Sequence, residues 1–183
     1  MDLLDFFLRS REAQHALQQA RARLYRLAYS WCHSAALADD LVQETLTKAL
    51  RKSAQLRDPK ARDAWLFTIL ANCYRDHFRK LREMDDVDEI EISHETTPET
   101  ESSSAEIVSL VRAAIAHLPG AQRQVVTLVD LEGFSYVEVS QILDVPIGTV
   151  MSRLCRARNT MRTMLLPDMQ QLPALSPTIR RVK

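Results

Sequence analysis

Residues 84–106, MDDVDEIEISHETTPETESSSAE, carry nine acidic side chains and no lysine or arginine. Their apolar residues are too scattered to bury the surface needed to offset ordering entropy. Like charges also push such a segment toward extended conformations. The stretch reads as a flexible acidic linker, and it divides the chain into blocks 1–83 and 107–166, followed by a tail, 167–183. Each block is small, so each must be a simple domain. The 21 residues of 84–104 reach roughly 70 Å when fully extended. That is about two turns of B-DNA at roughly 34 Å each.

Both blocks point to an all-α fold. Glycine occurs only three times in 183 residues and aromatics make up 6%, while Ala, Leu, Arg and Gln are frequent. That mix favours helices over sheets. The net charge of zero hides segregation: block 1–83 is net +5 and block 107–166 net +2, against −9 for the strip between them. Two basic blocks around an acidic strip suggest a polyanionic partner.

Cys32, Cys73 and Cys155 are odd in number and far apart, with no CxxC pair. Neither a disulfide framework nor a zinc finger is indicated, and a reducing, cytoplasmic setting fits. The opening MDLLDFFLRSR is too short and interrupted an apolar run for a signal peptide or a membrane span. Cys73 and His77 lie four apart on a predicted helix, but no further ligands accompany them, so they read as ordinary helix residues. No metal and no cofactor is implied.

In the first block the periodicity predicts a helix over 13–33, with Leu17, Leu24, Leu27, Ala28 and Trp31 at helical spacing. Asp39 and Asp40 sit where acids favour the start of a second helix, on which Glu44 and Lys48 can pair. Pro59 breaks the pattern, and a third helix is expected over 63–83. Three or four helices then pack as one bundle. The second block predicts four helices. Ile107 to Leu118 form one, closed by Pro119. AQRQVVTLVDLE forms the next and stops at Gly133, a C-cap. Ser135 and Glu138 match a capping box before a short helix, YVEVSQIL. After the turn DVPIG a last helix spans 148–166. The tail, with three prolines, is expected to have no fold of its own.

A capped short helix, a tight turn and a second helix make a helix-turn-helix pattern. On the second helix Val150, Leu154, Ala157 and Met161 form an apolar stripe. Thr149, Ser152, Arg153 and Arg156 share the other side. Arg can read a guanine edge bidentately, and Ser or Thr can serve bases or phosphates. The same spacing also describes a solvated arginine face on an ordinary amphipathic helix, so the pattern alone leaves both readings open.

The run LPGAQRQVVTLVDLEGFSYVEVSQILDVPIGTVMSRLCRARNTMR resembles the fourth domain of bacterial RNA polymerase sigma factors of the extracytoplasmic-function (ECF, sigma-70-like) group. In the first block, LYRLAYSWCHSAALADDLVQETLTKAL resembles that group's polymerase-binding segment, and DAWLFTILANCYRDHFRKLR its promoter-melting segment. The resemblance covers about 20–83 and 107–166. It implies a transcription initiation specificity factor that binds core RNA polymerase and directs it to −10 and −35 promoter elements.

The resemblance also implies roles for residues. Asp40, Gln43, Glu44 and Leu46 would dock on the clamp helices of the polymerase β′ subunit, although the same helix reads as an amphipathic core helix. Trp65, Asn72, Arg75, Asp76, Arg79 and Lys80 would read and open the −10 element. An unstacked base exposes an edge that polar side chains can read, and basic side chains can hold phosphates. Trp65, at core spacing, reads as a helper. The loop QLRDPKARD would help form the base pocket. Thr149, Met151, Ser152, Arg153, Arg156 and Arg158 would serve −35 recognition. Met151 stands where relatives often carry a basic residue, and Arg158 lies off the reading face.

The implied partners are core polymerase (β′ clamp helices and β flap), promoter DNA and an anti-sigma factor that clamps the two modules. No membrane insertion is expected. No ATP-binding or cleavage motif is present, so the chain reads as no enzyme, and binding energy would drive melting. Two other readings fit a helix-turn-helix: a stand-alone DNA-binding regulator and a sigma-like decoy. The acidic linker would compete with DNA for the basic modules and weaken polymerase-free DNA binding.

Overall fold

The computed structural model describes residues 11–52, 56, 58, 61–84 and 103–171. Among these the fold is all-α, with no strand. The first block supplies α1 (Arg11–Cys32), α2 (Ala35–Arg51) and α3 (Arg62–Met84). The second supplies α4 (Ser103–Ala116), α5 (Gly120–Val126), a π-helical turn over Thr127–Leu131 that continues α5, α6 (Tyr136–Leu143) and α7 (Ile147–Gln171). The linker residues 85–102, most of the loop before α3 and the tail beyond 171 lie outside the described residues.

Local chemistry sets the boundaries. His33 sits in the left-handed region (φ 52°), which stops α1. Ser34 then caps α2, its hydroxyl accepting from the Leu37 amide at 3.3 Å. The helix therefore begins at Ala35 rather than at the Asp39–Asp40 pair, which lies inside it. The expected Glu44–Lys48 pair is present at 2.8 Å. In the second block the capping box is complete. Ser135 Oγ accepts from the Glu138 amide (3.3 Å), and Glu138 accepts from the Ser135 amide (2.8 Å). Asp144, left-handed at φ 54°, ends α6, a conformation Asp tolerates because its short polar side chain can bond locally. Gly133 also has positive φ (78°), a conformation glycine adopts without a Cβ penalty.

Two boundaries differ from the sequence expectation. The second module begins at Ser103, within the stretch read as linker. At the other end α7 runs past Leu166 through Pro167 to Gln171, into what was expected to be structureless tail. Proline removes one backbone donor in that turn, but the helix continues through it.

A larger difference concerns the relation of the two blocks. Expected as separate domains on a flexible tether, they share one apolar core. Leu24, Trp31, Leu41 and Leu70 of the first block and Leu118, Val125, Leu128, Ile142 and Val150 of the second belong to the same buried cluster. α1 packs on α4 and α5, and α3 packs on α6. Phe67 of α3 meets Phe134 edge to face, with ring centroids 5.2 Å apart. The Arg23 guanidinium lies over the Phe67 ring at 5.4 Å and bonds Asp63 of its own block and Glu132 of the other. Burial works against the Arg23 charge, but the two carboxylates outweigh it and hold its pKa above the ordinary value. The linker composition describes only the tether; complementary faces on the blocks it joins decide whether they dock.

Candidate nucleic-acid interface

α7 begins directly after the turn that Asp144 shapes. Ser140 Oγ donates to the Val145 carbonyl (2.7 Å), which fixes the turn against α6. Val150, Leu154 and Ala157 are buried, so the expected apolar stripe is the inward face of α7. That rotation leaves Met151 (53% exposed) and Arg156 outward. Thr149, Ser152 and Arg153 are half-buried, and Ser152 Oγ donates to the Thr149 carbonyl at 3.1 Å. The expected reading residues thus lie within the first three turns of α7, which starts directly after the turn. Cys155 is exposed beside them.

Arg158 is placed differently. It forks onto Asp130 of the π-helical turn, with Nε and Nη2 donating to the two carboxylate oxygens at 3.1 and 2.5 Å. The hydrogen bonds to Asp130 raise its pKa above the ordinary arginine value. In this structure Arg158 braces α7 against the end of α5, off the face expected to read DNA.

α3 carries the other expected set. Asn72, Arg75, Arg79 and Lys80 are exposed, and Trp65 is half-buried against the core. Asp76 pairs with Arg79 at 3.2 Å and lies 3.9 Å from Lys48 of α2. Behind this face Cys73 is buried, and burial pushes its thiol pKa up. Cys32 is likewise buried and raised. Among the described residues no three His, Cys, Asp or Glu side chains are grouped to hold a metal ion. On α2, Asp40, Gln43 and Glu44 are exposed in a row, with Leu46 half-buried beneath.

The structure brings two of these sets together. Arg75 Nη2 donates to the Leu143 carbonyl at the end of α6 (2.7 Å). Arg75, Arg79, Tyr74 and Phe78 of α3 line a cleft of about 680 Å³ with Gln124 of α5 and Arg153 of α7. Residues expected to read the −10 element and one expected to read the −35 element therefore share the walls of a single basic, aromatic-lined cleft. Thr149, Met151 and Arg156 stand outside it.

Sequence reasoning missed Arg123. Nothing in the run AQRQVV singles it out, yet it is only 7% exposed. Its guanidinium donates to four backbone carbonyls: Ile115 (3.2 Å), Ala116 (2.6 Å) and Leu118 (2.8 Å) at the end of α4, and Trp31 (2.9 Å) at the end of α1. Burial lowers its pKa, and the negative ends of two helix dipoles offset that cost. Trp31 stands at core spacing in the sequence. Its Nε1 donates to Thr127 Oγ1 at 2.9 Å, across the two blocks.

Two family models cover this architecture block by block. Residues 16–83 match Sigma-70 region 2 and residues 109–161 match Sigma-70, region 4. The chain belongs to the sigma-70 family, in its ECF group. This sigma factor is 35% identical over 161 residues to the ECF RNA polymerase sigma factor EcfG of Rhodopseudomonas palustris, covering 87% of this chain and 88% of that protein. It is 33% identical over 140 residues to the ECF RNA polymerase sigma-E factor of Escherichia coli K12, covering 70% and 73%. Its fold matches the sigma factor RpoE of Bartonella quintana, solved with the anti-sigma factor NepR, at a TM-score of 0.73 and 32% identity, over 87% of this chain and 99% of that one. As a sigma factor it is a transcription initiation protein, in a family of transcription factors rather than enzymes. Among the described residues no helix is long and apolar enough to cross a membrane.

Proposed function

We propose that this sigma factor acts in the cytoplasm by loading core RNA polymerase onto promoters through two contacts, α3 at the −10 element and the first turns of α7 at the −35 element. The observation that carries the reading is the polarity of α7. Its apolar stripe faces the core, which leaves Arg156 exposed and Thr149, Ser152 and Arg153 half-buried off that stripe. A helix-turn-helix uses such a face in the major groove. On α3, Asn72 supplies an edge-reading amide, and Arg75, Arg79 and Lys80 supply phosphate-binding charge.

Asp40, Gln43 and Glu44, with Leu46, form the docking row for the β′ clamp helices, and the second module meets the β flap. An anti-sigma factor regulates the protein. Its relative RpoE of Bartonella quintana was solved with such a partner, and the fold match extends over 87% of this chain. Melting draws on binding energy within the holoenzyme.

Run-off transcription tests the proposal. Core polymerase with this chain should give promoter-specific transcripts that core alone does not. Tight operator binding without polymerase, and no such transcript, would instead mark a stand-alone regulator.

A further inference from the structure

We propose that Ile147 and Met151 of α7 form an apolar reader for two thymines of the −35 element, through the C5-methyl groups that those bases present in the major groove. This deepens the functional reading above, in which α7 meets the −35 element, and rests on it.

The pair stands out from the rest of its helix. Val150, Leu154 and Ala157, the apolar residues that pack inward, are buried. Ile147 and Met151 are equally apolar but 45% and 53% exposed. Four residues apart on a helix, their side chains are neighbours. Single exposed apolar residues are ordinary on a protein surface, but these two are adjacent and open the helix proposed to read DNA. Of residues 147–153 only Ile147, Gly148 and Met151 are exposed. The polar side chains of the same turns are less available. Thr149 and Ser152 are half-buried, and the Ser152 hydroxyl donates to the Thr149 carbonyl at 3.1 Å. Arg153 is half-buried and borders the cleft with Arg75.

The start of α7 is held in place and left open to a ligand. The Pro146 carbonyl accepts from the Thr149 and Val150 amides at 2.8 and 3.2 Å, which fixes the first turn. Between the two apolar residues, Gly148 has open space beside it: a methyl group added there would meet nothing within 4 Å. Glycine lets a backbone approach a ligand closely, so a base edge can reach the pair from that side.

Of the four bases only thymine turns an apolar group into the major groove. Cytosine offers an amino donor there, guanine two acceptors, and adenine an acceptor and a donor. Neither Ile nor Met answers these with a strong hydrogen bond, so another base would lose its water without gaining a partner. The flexible, polarisable thioether of Met151 can fit around a methyl group. Four residues span roughly 6 Å along α7, against about 3.4 Å per base-pair step. The two methyl groups therefore lie on neighbouring or next-but-one base pairs.

Deoxyuridine tests this, because it removes the methyl group and keeps the base pairing. Promoter fragments found by run-off transcription have their −35 thymines replaced one at a time, and reconstituted holoenzyme is titrated onto each. Two thymines, no more than two steps apart, should each show about a fourfold loss of affinity, the effect of unburying one methyl group. Met151→Ala should abolish the loss at one of them and Ile147→Ala at the other. Arg156→Ala should weaken binding to thymine and deoxyuridine DNA alike and keep the difference between them.

Three results would overturn the proposal: a −35 element without two such thymines, deoxyuridine that binds as well as thymine at every position, or a loss that survives in both alanine variants. Weaker binding of either alanine variant to core polymerase without DNA would make the pair a protein-docking patch and would overturn it too. Failure of the underlying functional reading looks different: the wild-type chain would support no promoter-specific transcript at all.

Discussion

Arg158 and Asp130 face each other as a two-pronged ion pair that ties α7 to the π-helical turn after α5. Arg153 and Arg156, on the same helix, make no comparable carboxylate fork among the described residues. The three arginines of one short run therefore have different duties. Arg158→Ala should cost roughly 0.5 kcal/mol of stability, since the pair is substantially exposed and screened by solvent. Its effect on promoter affinity should be smaller than that of Arg153→Ala or Arg156→Ala. Urea denaturation, with promoter binding by reconstituted holoenzyme, checks both parts.

Arg153→Ala and Arg156→Ala should each weaken promoter binding by about 1–3 kcal/mol if they read base edges. The loss should be concentrated on promoters altered at the matching −35 positions. A uniform loss across sequences, with a salt slope reduced by about one, would assign the side chain to a phosphate. Holoenzyme binding to a set of single-base promoter variants separates the two.

The helices of both modules were legible because an apolar stripe every three to four residues has few other uses, and Ser135 and Glu138 announced the start of α6 directly. The start of α2 was less clear. Asp39 and Asp40 gave a plausible helix-start signal that competed with the hydroxyl of Ser34. The two faces proposed to read DNA were legible as surfaces, but their meeting in one cleft was not, because it depends on a long-range fit. Phe67 needs Phe134, Trp31 needs Thr127, and Arg23 needs Glu132. Arg123 was hidden for the same reason: its burial follows from where two helix ends arrive, one of them 92 positions earlier in the chain. The π-helical turn belongs with these. Thr127 opens it and takes the Trp31 donor from the other module, so no local pattern marks it.

The Trp31–Thr127 bond should be measurable as a coupling. Thr127→Val leaves the buried indole N–H without its acceptor, at a cost of about 1–3 kcal/mol. Trp31→Phe removes the donor and some buried surface. The double variant should lose less than the sum of the two, by about 1 kcal/mol, because no unpaired donor remains. Chemical denaturation of the four proteins gives the cycle; strict additivity would remove the bond as a contributor.

The capping box of α6 makes the helix-turn-helix acid-sensitive. The Ser135 hydroxyl and amide both donate to Glu138, at 2.7 and 2.8 Å, and hold its pKa below the ordinary 4.5. A carboxylate depressed on folding adds stability that is present in full above its unfolded value and is lost as pH falls through the folded one. The start of α6 should therefore loosen below about pH 4.5, by a few tenths of a kcal/mol given its exposure. Glu138→Gln should abolish that dependence while keeping part of the cap. Amide exchange at Ser135 and Glu138 across acid pH is the measurement.

The acidic strip offers a test from charge alone. Eight of its nine acids precede Ser103 and lie in the chain between blocks 1–83 and 107–166, whose net charges are +5 and +2, so tethering would hold them at high effective concentration against the surfaces DNA would use. Replacing Asp85, Asp86, Asp88, Glu89 and Glu91 by their amides should raise polymerase-free DNA affinity at low ionic strength. The gain should fade as salt shortens the screening length to about 8 Å at physiological strength. The packing of the two blocks bears on the size of this effect. While Arg75 is bonded to the Leu143 carbonyl and Arg153 shares its cleft, neutralising the strip frees only the outward cations, such as Arg156. Combining the amides with Glu132→Gln should therefore raise affinity by more than the two changes separately. Fluorescence anisotropy with labelled promoter DNA at two salt concentrations checks this, and an equal gain at both would rule out electrostatic competition.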